Sequence, residues 1–324
     1  MIRQLLFSMK AATLLLVVLS LLLWLDTAHA QAGAWALLLL SVSVGFIHGA
    51  LDAVLMPQRF DSLAQAALIT VAYGLVVVLL GWVLSASISL ALWALLIMSA
   101  WHFGEPYRRW DGLAAWHRVL TRAVVGGAPV MLPVWQTPDQ LSAVLQSVVP
   151  AVALQGWHHL AWLWLGLLVV WLLAWVIEGL RVFRLGVVKP LPDLRFAWLE
   201  LIGCTALYAV FSPLMAFALY FGVYHAPVHI WRVWRGFAAV QSRVAPGLMV
   251  SANAALFAVA ATTVLSWLLG AGLWWWLGAG ATTSLDWASG LRWLIVAFAA
   301  LTAPHLVVIS LSEAFLTQHG QRPA

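Results

Sequence analysis

Ten histidines occur in this chain, and five of them lie inside long apolar runs, beyond the first three residues of the run, where polar side chains are costly and usually functional. His225 and His229 stand four residues apart, so in a helix both imidazoles project from one face about 6 Å apart and can share a metal ion. A hydrogen-bonded packing pair, or one haem ligand beside an uninvolved histidine, explains the same spacing. The other three of these five histidines are His48, His102 and His305.

Two acidic residues and His305 are candidates for a shell around such a metal. Asp52 follows His48 by one helical turn, so its carboxylate can accept an N–H from His48 or a neighbour and fix the tautomer of a metal-binding ring. A buried His–Asp pair without a metal is the alternative. Glu200 is expected to support a histidine from outside the coordination sphere, although an interfacial glutamate at a helix end fits the pattern too. His305 is deep in an apolar run and is predicted to have a polar partner.

Other residue types narrow the chemistry. Cys204 is the single cysteine, which excludes intrachain disulfides, cysteine-bound iron–sulfur clusters and covalent c-type haem. Lys10 and Lys189 lie outside the apolar runs, so the sequence offers no buried lysine for a retinal Schiff base. A metal would therefore be held by histidine and carboxylate. The remaining histidines are predicted to be solvated or interfacial: His29, His117, His158, His159 and His319.

The composition indicates which solvent surrounds these residues. The chain is 64% hydrophobic and 8% charged, whereas soluble domains have roughly 45–50% apolar and about 25% charged residues. Because the charged residues are too few to cover a water-facing surface, the solvent around the protein must be the lipid bilayer. The net charge of +5 comes from basic residues between apolar runs rather than along one face, so nucleic-acid binding is not expected.

The apolar runs predict the fold. Since unpaired backbone groups cannot face lipid, each run is expected to be a helix, giving an all-α, polytopic membrane bundle of about ten transmembrane helices in a single domain, 1–324. Residues 1–30 hold either the first transmembrane helix or a signal peptide. The runs are 11–25, 34–56, 64–84, 87–104, 115–134, 157–180, 196–211, 213–231, 247–278 and 291–315.

Positive charge in the connections predicts the orientation. Connections 26–33, 135–156 and 279–290 contain no Lys or Arg, which is typical of the outer side of an inner membrane. Both termini are therefore predicted to be cytoplasmic, and all five histidines of the apolar runs then fall in the cytoplasmic half, which indicates one shared site. The opposite connections contain Arg59, Arg108, Arg109, Arg118, Arg181, Arg184, Lys189, Arg195, Arg232, Arg235, Arg243 and, near the C-terminus, Arg322.

At these residues the sequence resembles the Brp/Blh family of β-carotene 15,15′-dioxygenases. The matching stretches run through most of the chain in the family's order: Gly45 to Asp52 (GFIHGALD), Trp101 to Gly104 (WHFG), Glu200 to Gly203 (ELIG), Ala218 to His229 (ALYFGVYHAPVH) and Leu301 to Val307 (LTAPHLV). Departures from the family pattern occur at Ile47, Tyr107 and Ala226, and they bear on the outer shell and substrate preference more than on a metal site.

The resemblance implies a function and its residues. The family's four iron-binding histidines correspond to His48, His102, His225 and His229, which leaves Asp52, Glu200 and His305 as candidates for the surrounding shell. The cofactor would be Fe²⁺, and the reaction would be cleavage of the central double bond of β-carotene by O₂ to give two all-trans-retinal molecules. A haem protein for electron transfer, or a metal-free transporter or regulator of retinal supply, is the alternative.

Overall fold

The computed structural model describes residues 18, 21–29, 31–52, 63–107, 114–185, 195–241, 252–278 and 287–318. These residues are helical apart from short connections, and none of them is in a strand, so the predicted all-α class is confirmed. Several sequence predictions lie outside the described residues: most of the first apolar run, His319, and the basic residues Arg59, Arg108, Arg109, Lys189, Arg243 and Arg322.

Twelve α-helices are defined here, preceded by a helical stretch at 21–28. Two π-helical segments, π1 (Ser41–Gly45) and π2 (Tyr220–His225), interrupt otherwise continuous helices. The α-helices are α1 (Ala32–Leu40), α2 (Phe46–Ala50), α3 (Leu63–Ser85), α4 (Ile88–Phe103), α5 (Ala115–Gln136), α6 (Pro138–Gln146), α7 (Trp157–Leu185), α8 (Arg195–Val210), α9 (Pro213–Leu219), α10 (Ala226–Gln241), α11 (Ala252–Gly278) and α12 (Trp287–Gln318).

The helices follow the apolar runs closely, with one addition. Helix α6 lies inside the connection 135–156, which the sequence analysis treated only as a loop. It is short and amphipathic, with Leu141 and Leu145 buried one turn apart, so it lacks the long apolar run that identifies a membrane helix. Pro138 begins it at a position where the missing N–H costs nothing.

Several helices are apolar enough for membrane association. Among the described residues, four are long and apolar enough to cross a membrane: Ile88–Tyr107, Ala151–Arg181, Leu256–Trp276 and Trp287–Ser310. Shorter apolar helices cover Trp35–Ala50, Thr70–Ser85 and Phe196–Val210. Large apolar side chains on these helices are exposed, as lipid-facing surfaces require.

The two π-helical segments pack against each other through glycines. A Cβ atom added at Gly45 would lie 2.9 Å from the Phe221 ring, and one added at Gly222 would lie 2.7 Å from the Leu40 Cβ. Larger residues would therefore push π1 and π2 apart. Because π1 leads into the turn that bears His48 and π2 ends at His225, this close approach brings the two histidines together. Short π-helical segments of this kind are frequent at functional sites.

A second close crossing positions His102 at the end of α4. A Cβ atom at Gly126 of α5 would lie 2.3 Å from the Ala100 carbonyl oxygen and from the Gly104 backbone nitrogen. One turn before Gly126 on α5, Arg122 forms an ion pair with the buried Glu105 and donates from Nε to the Trp101 carbonyl oxygen at 3.0 Å. The backbone on both sides of His102 is thus held to α5.

Candidate metal centre

Five histidines from different parts of the chain converge in one buried cluster. His48 lies on α2, His102 on α4, His225 at the end of π2, His229 on α10 and His305 on α12. In nine of the ten pairs of rings, all but His225 with His305, the centroids are separated by distances from 4.3 Å, between His48 and His229, to 6.3 Å, between His225 and His229. The His305 ring lies 4.9 Å from both the His48 and the His102 rings. The structure therefore brings together all five histidines that the apolar runs singled out.

The distances between ring nitrogens fit a shared metal ion. The His102 Nε2 atom lies 3.2 Å from the His48 Nε2 atom and 3.2 Å from the His225 Nε2 atom. Two imidazoles that bind one metal at about 2.1 Å and at right angles have nitrogens about 3 Å apart. His48, His102 and His229 each offer one ligand atom within 4.8 Å of the others. The Nε2 atom of His229 is buried without a hydrogen-bond partner among the described residues.

His225 joins the cluster from one side. It is outside the group of three mutually close donors, and its Nε2 atom approaches only that of His102 in the described geometry. Pro227 follows it in the first turn of α10. A proline removes a backbone hydrogen bond and distorts a helix, and the π-helical segment ends two residues before it. The wider turn keeps the His225 and His229 rings stacked, with an interplanar angle of 23°.

Of the two predicted kinds of partner for Asp52, His48 or a neighbouring histidine, the structure has the neighbour, His305. Its carboxylate accepts the Nδ1–H of His305, with distances of 2.9 and 3.0 Å to the two oxygens, rather than an N–H of His48. The Tyr73 hydroxyl donates to the same carboxylate at 2.9 Å. In the neutral tautomer that donates from Nδ1, the His305 Nε2 atom has a lone pair, and it is buried without a hydrogen-bond partner among the described residues. His305 has the polar partner that its depth predicts.

Glu200 does not contact a histidine among the described hydrogen bonds. Its carboxylate accepts one hydrogen bond from the Tyr107 hydroxyl at 2.5 Å and another from the Tyr220 hydroxyl at 2.6 Å. The Tyr220 ring in turn stacks 6.0 Å from the His225 ring. The expected support of a histidine by Glu200 is therefore indirect: this acid connects α8, the turn after α4 and π2.

One of the histidines that the sequence predicts to be solvated or interfacial is buried instead. His158 and His159 are exposed, as expected, and so is His29. His117 is instead buried, with its ring stacked 5.0 Å from the Trp116 ring and tilted by 52° to the Trp175 ring at 4.5 Å. Its position near a predicted connection concealed the burial, because the sequence does not reveal which residue of a neighbouring helix covers a helix end.

Tyrosines are the functional residues that sequence reasoning missed. Three of the five tyrosines, Tyr73, Tyr107 and Tyr220, bind two of the buried acids, Asp52 and Glu200. A signal was present, because a tyrosine in a lipid-facing helix needs a partner for its hydroxyl when it is buried. The sequence contained no indication of which partner each hydroxyl would choose.

Three of the clustered histidines, His48, His102 and His305, form one wall of a small cavity. This histidine cavity has a volume of about 70 Å³, and its other walls are largely aromatic and aliphatic. Gly49 borders it, and a Cβ atom there would meet nothing within 4 Å. Phe103, Phe221 and Phe298 line the same cavity. The arrangement can hold a metal ion next to a water-poor, apolar space.

The fold and the site thus define a helical, membrane-associated protein with a buried centre of five histidines. The profile of the family described as Beta-carotene 15,15'-dioxygenase matches residues 39–313. The protein named Beta-carotene 15,15'-dioxygenase from an uncultured marine bacterium, 66A03, is 26% identical over 283 residues, which cover 85% of this chain and 92% of that protein. No solved structure matches the chain.

The chain belongs to the β-carotene 15,15′-dioxygenase family, because the family profile covers most of its length, including all five clustered histidines. It is therefore an enzyme of the carotenoid-cleaving oxidoreductase class. The resemblance to the Brp/Blh family seen in the motifs is confirmed.

Proposed function

We propose that this enzyme binds Fe²⁺ through His48, His102, His225 and His229 and uses O₂ to cleave the central 15,15′ double bond of β-carotene into two all-trans-retinal molecules. The observation that carries the proposal is the meeting of imidazole nitrogens from separate helices at distances suited to one metal ion. Neutral imidazoles are suitable ligands for iron, and a site without thiolates or several carboxylates favours it over softer or harder ions.

The iron, when bound, would supply the redox chemistry with O₂. The chain's own residues then have three tasks: to hold the imidazoles in place, to align the polyene and to keep water out. Asp52 performs part of the first task by fixing the His305 ring through its Nδ1–H. The phenylalanines of the histidine cavity contribute to the others, because flat aromatic faces pack on a conjugated chain.

The substrate would reach the site from the bilayer. A cavity of about 330 Å³, called here the lipid-side cavity, lies between α3, α11 and α12 and shares Phe46, Ser266 and Leu301 with the histidine cavity. Trp82 and Trp276 also line it and are largely exposed, so it opens at a lipid-facing surface. A carotenoid dissolves in the bilayer rather than in water, so lateral access is the shortest route to the histidines.

We also propose the finer membrane topology: about ten transmembrane helices in the inner membrane, with both termini cytoplasmic. The charge-free connections support it. A reporter fused after Gly186 should be cytoplasmic, and one fused after Thr283 should be periplasmic; both positions lie outside the described residues. The reverse location at either position would contradict the topology.

Two measurements test the activity. Purified protein should contain close to one iron per chain, and carotenoid-producing cells that express the chain should accumulate retinal, identified by chromatography. A Soret absorption band, or zinc in place of iron, would contradict the proposed centre. Longer or shorter apocarotenals in place of retinal would contradict the cleavage position while leaving the enzyme class intact.

A further inference from the structure

A second apolar cavity leads away from the histidines toward the other end of the bundle. This inner cavity has a volume of about 100 Å³ and lies between α1, α4, α5, α6, α9 and α12. It shares Leu95, Ser99, Phe217 and Phe298 with the histidine cavity, so the two spaces adjoin. Leu145 and Trp157 line it too. The inner cavity is therefore a continuation of the proposed catalytic space.

The inner cavity is long enough for one arm of the substrate. The Trp157 ring stands edge-on to Trp93 of α4, with ring centroids 5.7 Å apart. Because an α-helix rises about 1.5 Å per residue, Trp93 and His102 are about 14 Å apart along α4. The length of half of an extended carotenoid, from its central double bond to the outer edge of its end ring, is similar to this distance. A polyene whose central bond lies at the histidines would place its end ring near Trp157.

Trp157 carries a polar group that the protein does not use. Its side chain is 8% exposed, and its Nε1–H has no hydrogen-bond partner among the described residues. Three other buried tryptophans donate from Nε1: Trp164 to the Val124 carbonyl oxygen at 3.0 Å, Trp171 to the Thr121 hydroxyl at 2.9 Å and Trp293 to the Gly270 carbonyl oxygen at 2.7 Å. A buried donor left without an acceptor is costly, so an unpaired N–H at the edge of a cavity marks a place for an external acceptor.

A small space beyond the inner cavity supports this view. It has a volume of about 20 Å³ and shares Leu141, Leu145 and Trp157 with the inner cavity. Ser142 and His158 also border it, so the far end is more polar than the walls along the way. Apolar walls with a polar end match a hydrocarbon chain that terminates in an oxygen-bearing ring.

We propose that the inner cavity holds one end ring of the carotenoid and that the Trp157 Nε1–H donates a hydrogen bond to a hydroxyl or keto oxygen on that ring. The preferred substrate class is then a carotenoid oxygenated on at least one end ring, with β-carotene accepted but less well matched. The inference rests on the proposed function, since it assumes that the histidines mark the position of the cleaved bond.

The test compares two substrates in the wild-type enzyme. The probes are β-carotene and its derivative with one hydroxyl on one end ring. We expect the hydroxylated compound to have a kcat/KM about fivefold higher, the effect of about one neutral hydrogen bond. Equal or lower kcat/KM for it would overturn the inference even if no variant could be purified. Absence of cleavage of both compounds would instead contradict the proposed function.

Matched variants locate the effect. Trp157→Phe removes the N–H and keeps an aromatic ring, so the ratio of kcat/KM for the hydroxylated compound to that for β-carotene should fall to about one. Trp93→Phe is the control, because its Nε1–H is already bound to the Ala153 carbonyl oxygen at 3.1 Å and it does not line the inner cavity. Retention of the preference in Trp157→Phe, or its equal loss in both variants, would refute the role of Trp157.

Discussion

Two buried carboxylates accept hydrogen bonds from tyrosine hydroxyls in this bundle, but only one of them contacts a histidine. Asp52 binds His305 and Tyr73 next to the clustered imidazoles, whereas Glu200 binds Tyr107 and Tyr220. Both are at least nine-tenths buried. The two acids differ in their second partner: for Asp52 it is the imidazole ring of His305. For Glu200 it is a second tyrosine hydroxyl.

This difference separates chemistry from support. An acid that holds an imidazole affects the orientation of a ring beside the metal, so its removal should change turnover. An acid that joins hydroxyls from two other elements stabilises helix packing, so its removal should change mainly the amount of folded protein. Variants that remove first a clustered histidine and then each acid therefore distinguish the two roles.

The largest effect is expected for the histidine pair on one helix. His225→Ala or His229→Ala removes a proposed iron ligand, so iron content and retinal formation per inserted chain should both fall to background. Metal analysis and product chromatography on membrane-extracted protein measure the two. His159→Ala, an exposed histidine on α7, is the matched control and should remain active. Near-normal turnover of His229→Ala at a normal protein level would eliminate the four-histidine site.

A smaller effect is expected for His305. This ring is bound to Asp52 and is outside the proposed iron ligands, so His305→Ala should keep iron while lowering activity by about 10- to 100-fold, the usual effect of an outer-sphere change. The measurement is iron per chain alongside kcat. Loss of all iron from this variant would make His305 a ligand and would show that the assigned quartet is wrong.

Asp52→Asn tests whether that acid acts through His305. The substitution keeps the shape but removes the charge, so activity should fall by no more than in His305→Ala. In the double variant Asp52→Asn/His305→Ala, the Asp52 change should have little additional effect, because two residues that act as a unit are not additive. A further tenfold loss in the double variant would assign Asp52 a role of its own.

The smallest effect on turnover is expected for Glu200. Glu200→Gln weakens two buried hydrogen bonds to phenols, which should lower the free energy of unfolding by about 1–3 kcal/mol. Retinal formed per correctly folded chain should stay within about threefold of wild type. Thermal unfolding of detergent-solubilised protein measures stability, and Tyr107→Phe should reproduce part of the loss. An inactive but fully stable Glu200→Gln would place this acid in the chemistry.

Much of this enzyme's architecture and proposed site follows from local sequence. The apolar runs predict the helices, because a helix in lipid must satisfy its own backbone and needs a long apolar surface. The spacing of His225 and His229 places both rings on one helix face whatever the tertiary structure is. His48, His102 and His305 could be identified as functional candidates because a polar side chain among apolar residues of a membrane helix is energetically costly.

Tertiary structure decided the partners. Asp52 is one turn from His48 but binds His305, which is distant in sequence, because helix packing rather than helical periodicity sets the distance between them. The partners of Glu200, the burial of His117 and the unpaired N–H of Trp157 have the same origin. Each depends on which faces of separate helices meet. Glycines such as Gly45 and Gly126 set how closely those helices approach, because even a single added Cβ atom would clash there.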